Sequence, residues 1–385
     1  MNAARRWRAF RALAAHDRLF YAHVGATHRC NMRCRMCTVP ERGDVEREAD
    51  PAKFRIVAKE LADLGCAVVS IGGGEPMLHR DLPGVVEAFA GEGMRVRVLT
   101  NGITGSRPTI RALANAGATD MSVSLDSLDP VAQARLEDLP GILPKKMETI
   151  AAITHEMPRG THILNAIVTP QTLPGLRRVA RFAGEIGFFS SFIPIHLAAS
   201  EVEHHFFSDA RDLGFGGGHR EELRAFYGDL VRGRVGGVIN SRVYLENSLR
   251  YLLGEPFDWS CRAGVLYVSV DPSARISICH QFEETDTVSP EGFAERYLRG
   301  DWRARALGAS APCRACYRPC WAEIDHLADD AEAFLGAVGT QARSVLRRLA
   351  PRTADELVSI AEAILGDTIR MDAAEIRVHM IRGNA

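Results

Sequence analysis

Between residues 20 and 200, short runs of apolar and β-branched residues alternate with longer stretches in which apolar positions recur every three or four residues. The short runs predict strands over 20–26, 67–71, 96–99, 121–125, 163–168 and 189–195, each bounded by Gly, Pro, Asn or Asp. The longer stretches over 51–65, 81–92 and 108–116 read as helices, the first with Ile56, Leu61 and Leu64 on its inward side. Repeated strand–helix units predict an α/β fold whose parallel sheet closes, wholly or in part, into a barrel. Ligands then collect at the carboxyl ends of the strands.

Past residue 200 the rhythm changes. A Gly-rich, charge-mixed stretch over 209–237 suggests that the barrel region, 20–240, ends there, with 1–19 as a short helical lead. A smaller α+β unit over 241–325 carries a hairpin, 266–270 with 275–278, turned through Asp271, Pro272, Ser273 and Ala274. The tail, 326–385, is rich in Ala, Leu, Arg and Glu and reads as helical. Apolar residues make up 46% and charged residues 25% of the 385, which excludes a disordered or disulfide-scaffold chain. With 47 Lys and Arg against 48 Asp and Glu, no global field favours nucleic acid. No apolar run is long enough to span a membrane, and the basic start lacks the apolar stretch of an export signal, so a cytoplasmic protein is expected.

Nine cysteines carry the chemical information. Cys30, Cys34 and Cys37 form a Cys-x3-Cys-x2-Cys group directly after the first strand. Three thiolates at this spacing can hold three irons of a 4Fe-4S cluster and leave the fourth open to a ligand. The competing reading is a zinc site completed by His23, His28 or His79, although zinc sites favour paired Cys-x2-Cys arms. Cys261, Cys279, Cys313, Cys316 and Cys320 form a second group that supplies enough thiolates for a closed cluster or for zinc. Cys66 stands alone and reads as a small buried residue.

The first cysteine group resembles the signature of the radical S-adenosylmethionine (SAM) superfamily, and the resemblance spans roughly residues 18 to 235. It implies a partial (β/α)6 barrel in which the open iron binds SAM, whose reductive cleavage yields a 5′-deoxyadenosyl radical. One detail departs from the pattern: Met36 stands where an aromatic residue usually meets the adenine. A thioether can also lie against a π face. Gly73, Gly74 and Glu75 resemble the family's Gly-Gly-Glu motif, which receives the SAM amino group. By the same resemblance Asn101, Ser122, Ser124 and Asp126 end the third and fourth strands facing SAM, and Arg135 meets its carboxylate. Asn165 and His196 face the cavity or sit as satisfied core residues.

Cys261, Ala274 and Cys279 resemble the opening of SPASM and twitch extensions, where Gly is usual at the Ala274 position. That likeness implies one auxiliary 4Fe-4S cluster held by Cys261, Cys279, Cys313 and Cys316, with Cys320 as spare or substitute. The expected activity is a radical SAM oxidoreductase supplied by a flavodoxin- or ferredoxin-type donor. Few residues precede the first strand, which points to a small-molecule substrate ahead of a peptide; a non-enzymatic cluster or zinc protein is the reading of a different class.

Overall fold

The computed structural model describes residues 18–42, 48–197, 210–282, 286–313 and 316–367. The helical readings for 1–17 and 368–385 lie outside the described residues. Among the described residues nine strands form one sheet: β1 Tyr21–Thr27, β2 Val68–Gly73, β3 Arg95–Thr100, β4 Ala118–Ser124, β5 Ile163–Val168, β6 Phe189–Pro194, β7 Tyr267–Val270, β8 Ile276–Ser277 and β9 Thr287–Val288. Their spatial order is β6-β5-β4-β3-β2-β1-β7-β8-β9. The first six pair in parallel, each with its neighbour in sequence. β7 continues the sheet, parallel to β1, and β8 and β9 follow antiparallel. The result is a partial (β/α)6 barrel extended at one edge by a hairpin.

The helices Pro51–Asp63, Leu82–Gly91, Arg107–Asn115 and Pro130–Glu137 begin with a polar cap and a proline in the first two positions, the combination that satisfies orphan N–H groups and presets the first turn. Asp50 accepts from Ala52 N at 3.0 Å at the start of the helix Pro51–Asp63. Ser106 and Asp129 do the same for Arg107–Asn115 and Pro130–Glu137. The helix Pro51–Asp63 buries Phe54, Val57, Ala58 and Leu61, with Leu64 buried just beyond it. Ile56, expected inside, is 39% exposed, because it lies about 100° from Val57 and off the i, i+3, i+4, i+7 stripe that Phe54 starts.

The hairpin turn is set by Asp271, whose Oδ1 accepts from Ser273 N at 2.9 Å and Arg275 N at 2.8 Å. Ala274 adopts φ +62°, the left-handed region, which accounts physically for the preference for glycine in this turn. On the sheet's inner side lies a cavity of about 1130 Å³. Strand side chains line one wall, and residues 238–246, 318–327 and 330–343 line the other. Helices Arg242–Leu253, Pro319–Asp329 and Ala331–Leu346 therefore cover what the barrel leaves open. Among the described residues, no helix is long and apolar enough to cross a membrane.

Candidate functional site

Parallel register brings the ends of β1 to β4 to one rim, where the chain places the three-cysteine loop, the Gly-Gly-Glu turn and Asn101. The loop is pinned from both sides. Gly74 N donates to Thr27 O at 2.7 Å and Glu75 N to Arg29 O at 2.8 Å. A Cβ on Gly73 would stand 2.2 Å from Thr27 O, and one on Gly74 the same distance from Arg29 O. The glycines thus let β2's end pass against the cysteine loop with no room for a side chain. Arg29 anchors the loop again, donating to Glu48 at 2.7 Å and to Leu78 O at 2.5 Å. Glu48 is buried, which raises its pKa, but Arg29 and Thr27 outweigh burial and hold it below the usual carboxylate range.

Glu75 is buried, and both its carboxylate oxygens are engaged within the rim. Asn101 N donates to it at 2.7 Å, Met77 N at 3.1 Å and Thr100 Oγ1 at 3.0 Å. Burial raises its pKa while these donors pull the other way. Asn101 reaches back to the loop, with Nδ2 2.7 Å from Asn31 Oδ1 and 3.8 Å from the Cys30 sulfur. Beneath it the fully buried Lys146 donates to Asn101 O at 2.6 Å, Ser124 O at 2.8 Å and Glu137 at 2.9 Å. Asp126 is also buried and accepts from Ile167 N at 2.7 Å. Burial, reinforced by Glu137, pushes its pKa up to about 7.

The three loop thiols are close enough to act on one another: burial raises all three pKa values, Cys37 further raises that of Cys34, and Cys30 that of Cys37. The second group behaves alike. Cys279 is destabilised as a thiolate by burial and then by Cys261, Cys316 and Cys313. The Cys261 thiol donates at 3.2 Å to the Tyr267 hydroxyl, which donates to Asp325 at 2.9 Å, and Trp259 Nε1 donates to the same carboxylate at 3.0 Å. Cys320, on the helix Pro319–Asp329, faces the barrel cavity, as does Cys37. Burial pushes Cys320 up to about 12 and Cys66, buried with its thiol toward Val68 O, to the same value.

Residues 24–183 match the family model of the radical SAM superfamily. The chain is a radical SAM enzyme. It is 25% identical over 288 residues to the PqqA peptide cyclase of Xanthomonas oryzae pv. oryzae, covering 72% of each chain. It is also 25% identical over 317 residues to the PqqA peptide cyclase of Gluconobacter oxydans, covering 76% of this chain and 81% of that one. In fold it is similar to Streptococcus suis SuiB, with a TM-score of 0.59, 15% identity and coverage of 82% of this chain and 75% of that one. A second fold relative is anSMEcpe with bound AdoMet, with a TM-score of 0.55, 12% identity and coverage of 89% and 99%. A 4Fe-4S cluster and SAM are the cofactors of this superfamily.

The residues of this radical SAM enzyme fit such a cluster in their donor chemistry. Three desolvated thiols stand together at the rim, and among the described residues no His, Cys, Asp or Glu trio converges tightly enough to hold one metal ion. A cube, whose metal corners are themselves apart, suits thiols that are near but not convergent. Met36 and Gly73 line the cavity beside Cys37. Asn101, Glu75 and Cys30 come together, whereas Ser124 and Asp126 are tied into the rim's own hydrogen bonds. Arg135 is exposed on its helix. Sequence reasoning missed Lys146 with Glu137, Glu48 and the cavity arginine Arg97. Each gains its meaning from a partner far along the chain, and only the charged residues within apolar periodicity hinted at them.

Proposed function

We propose that this enzyme modifies a peptide, with Cys30, Cys34 and Cys37 holding the cluster that receives SAM. Cys261, Cys279, Cys313 and Cys316 hold an auxiliary, twitch-like 4Fe-4S cluster. The observation that carries the peptide reading is the match to PqqA peptide cyclases over 72% of both chains. It favours a peptide over the small molecule expected from the sequence. A cavity of about 1130 Å³ supports it, being larger than the roughly 300–1,000 Å³ of ordinary small-ligand sites.

When bound, the cluster and SAM supply a 5′-deoxyadenosyl radical able to take hydrogen from an unactivated carbon. The chain's part is placement. Gly73 and Gly74 fix the cysteine loop against β2, and Lys146 clamps the ends of β3 and β4 through two carbonyls. Asn101 points an N–H at the Cys30 sulfur, which favours its thiolate. Met36 closes the cavity mouth beside Cys37, against the small apolar cluster of Leu136, Ile195 and Leu213. Helices Pro319–Asp329 and Ala331–Leu346 shield the interior from bulk water, which protects a reactive intermediate. Cys37 and Cys320 open onto one cavity, and an auxiliary cluster held by Cys261, Cys279, Cys313 and Cys316 would supply an electron acceptor. A flavodoxin- or ferredoxin-type protein supplies the initiating electron.

Anaerobic reconstitution tests the reading. About eight irons per chain, 5′-deoxyadenosine on reduction with SAM, and a mass change in a short peptide encoded beside the gene are expected. About four irons removes the auxiliary cluster, and zinc without iron or absence of 5′-deoxyadenosine removes the enzyme reading.

A further inference from the structure

The barrel interior holds a cation that its own surroundings do not satisfy. Arg97, on β3, keeps some accessible surface, but that surface faces the cavity and the residue is shielded from bulk solvent. A guanidinium carries five N–H donors. Among the described residues Arg97 makes one hydrogen bond, from Nη2 to Thr161 O at 3.0 Å, and its buried Nε has no partner.

The nearby acid answers it only through space: Asp120 and Arg97 act on each other's charge, but no hydrogen bond joins them. Asp120 is taken up by Arg95, which donates from Nε and Nη2 at 2.7 Å each, by Thr161 N at 2.6 Å and by Thr119 Oγ1 at 3.0 Å. With Arg95 paired to Asp120, Arg97 is left as surplus charge at this level of the barrel. The strand wall of the same cavity carries Ser70, Ser122, Asn165 and Ser191, neutral and able to donate, and Tyr21, which acts on Arg97, while Glu246, Glu323, Asp330 and Glu332 belong to the helical wall. Ser70 is the register partner of Arg97 on β2. A buried cation with free donors in a fork calls for a planar anion, because leaving it unpaired costs free energy that a carboxylate recovers through charge-assisted bonds.

We propose that Arg97 is a carboxylate-binding residue for substrate, anchoring an acidic side chain inside the barrel while the carbon to be attacked lies nearer the rim. The acidic residue as part of a peptide rests on the reading given above; the carboxylate site itself does not.

The probe is radiolabelled N-acetyl-glutamate amide, with N-acetyl-glutamine amide and glutarate beside it, in equilibrium dialysis against the anaerobically reconstituted enzyme. The wild type is expected to hold the glutamate probe roughly tenfold or more tightly than the glutamine probe, the gain of a charge-assisted over a neutral bond. Arg97→Gln erases that preference and Arg97→Lys keeps part of it. Ser70→Asp, which sets an internal carboxylate beside Arg97, abolishes probe binding without loss of fold, and it serves where Arg97→Gln fails to fold. No preference in the wild type, or a preference that survives Arg97→Gln or Ser70→Asp, overturns the proposal. Tighter binding of glutarate than of the blocked amino acid sets aside the peptide reading and upholds the carboxylate site.

Discussion

At the scale of single residues, two contacts near the cysteine loop carry distinct physical costs. The Asn101 Nδ2 hydrogen lies 3.8 Å, donor to sulfur, from Cys30 and stabilises the more negative, reduced state of a cluster ligated there. Asn101→Ala is therefore expected to lower that cluster's reduction potential at unchanged iron content, as read by potentiometric titration with electron paramagnetic resonance. Lys146 and Glu137 form an ion pair at 2.9 Å with both side chains nearly fully buried. Lys146→Met strands Glu137 and should cost about 3–5 kcal/mol in chemical denaturation. Lys146→Met combined with Glu137→Leu should recover much of that loss, since the uncompensated charge is gone. Glu323 adds a pH signature: burial raises its pKa to about 7 despite bonds from Ser241 and Asn240. The folded state therefore holds its proton more tightly than the unfolded chain, so this group's contribution to stability falls as pH rises from about 4.5 to 7. The stability advantage of Glu323→Gln over wild type is expected to grow across that window by an amount on the order of 2 kcal/mol, and to be flat below it.

At the scale of elements, the strand rhythm was legible because each strand's apolar run is bounded by turn residues, and β5 begins and ends where the pattern says. The hairpin was legible for the same reason, down to the Asp271 to Ala274 turn. Ile56 was misread because an exposed isoleucine one position off the buried stripe mimics an inward residue. The Gly-Gly-Glu turn was legible as a motif, but its packing was not: what Gly74 approaches is the carbonyl of Arg29, a contact across the sheet rather than along the chain. Gly74→Ala should accordingly displace the cysteine loop and reduce bound iron to about that of a protein lacking Cys30, Cys34 and Cys37. Gly184→Ala, in an exposed helical position where an added Cβ meets nothing within 4 Å, should leave iron unchanged and raise stability by about 0.5–1 kcal/mol.

At the scale of the whole molecule, the sheet and the carboxy-terminal helices make one enclosure. β7 extends the barrel's own sheet, and the helices from Arg242 to Leu346 wall the cavity onto which Cys37 and Cys320 open. The cysteine spacing made both groups visible in the sequence. Their common cavity, the cation at its centre and the rim's internal hydrogen bonds were not visible, since each depends on residues brought together from strands up to 60 or more positions apart. The proposal of a peptide substrate in place of a small molecule rests on the likeness to peptide cyclases, a distinction that length before the first strand does not decide. The account turns on the loop of Cys30, Cys34 and Cys37 presenting an open iron to SAM. Electron paramagnetic resonance of the reduced protein, recorded with and without SAM, addresses this directly. A signal that changes on adding SAM, persists in a protein lacking Cys261, Cys279, Cys313 and Cys316, and vanishes without the first three cysteines is the predicted result; a signal indifferent to SAM in the iron-loaded wild type contradicts the account.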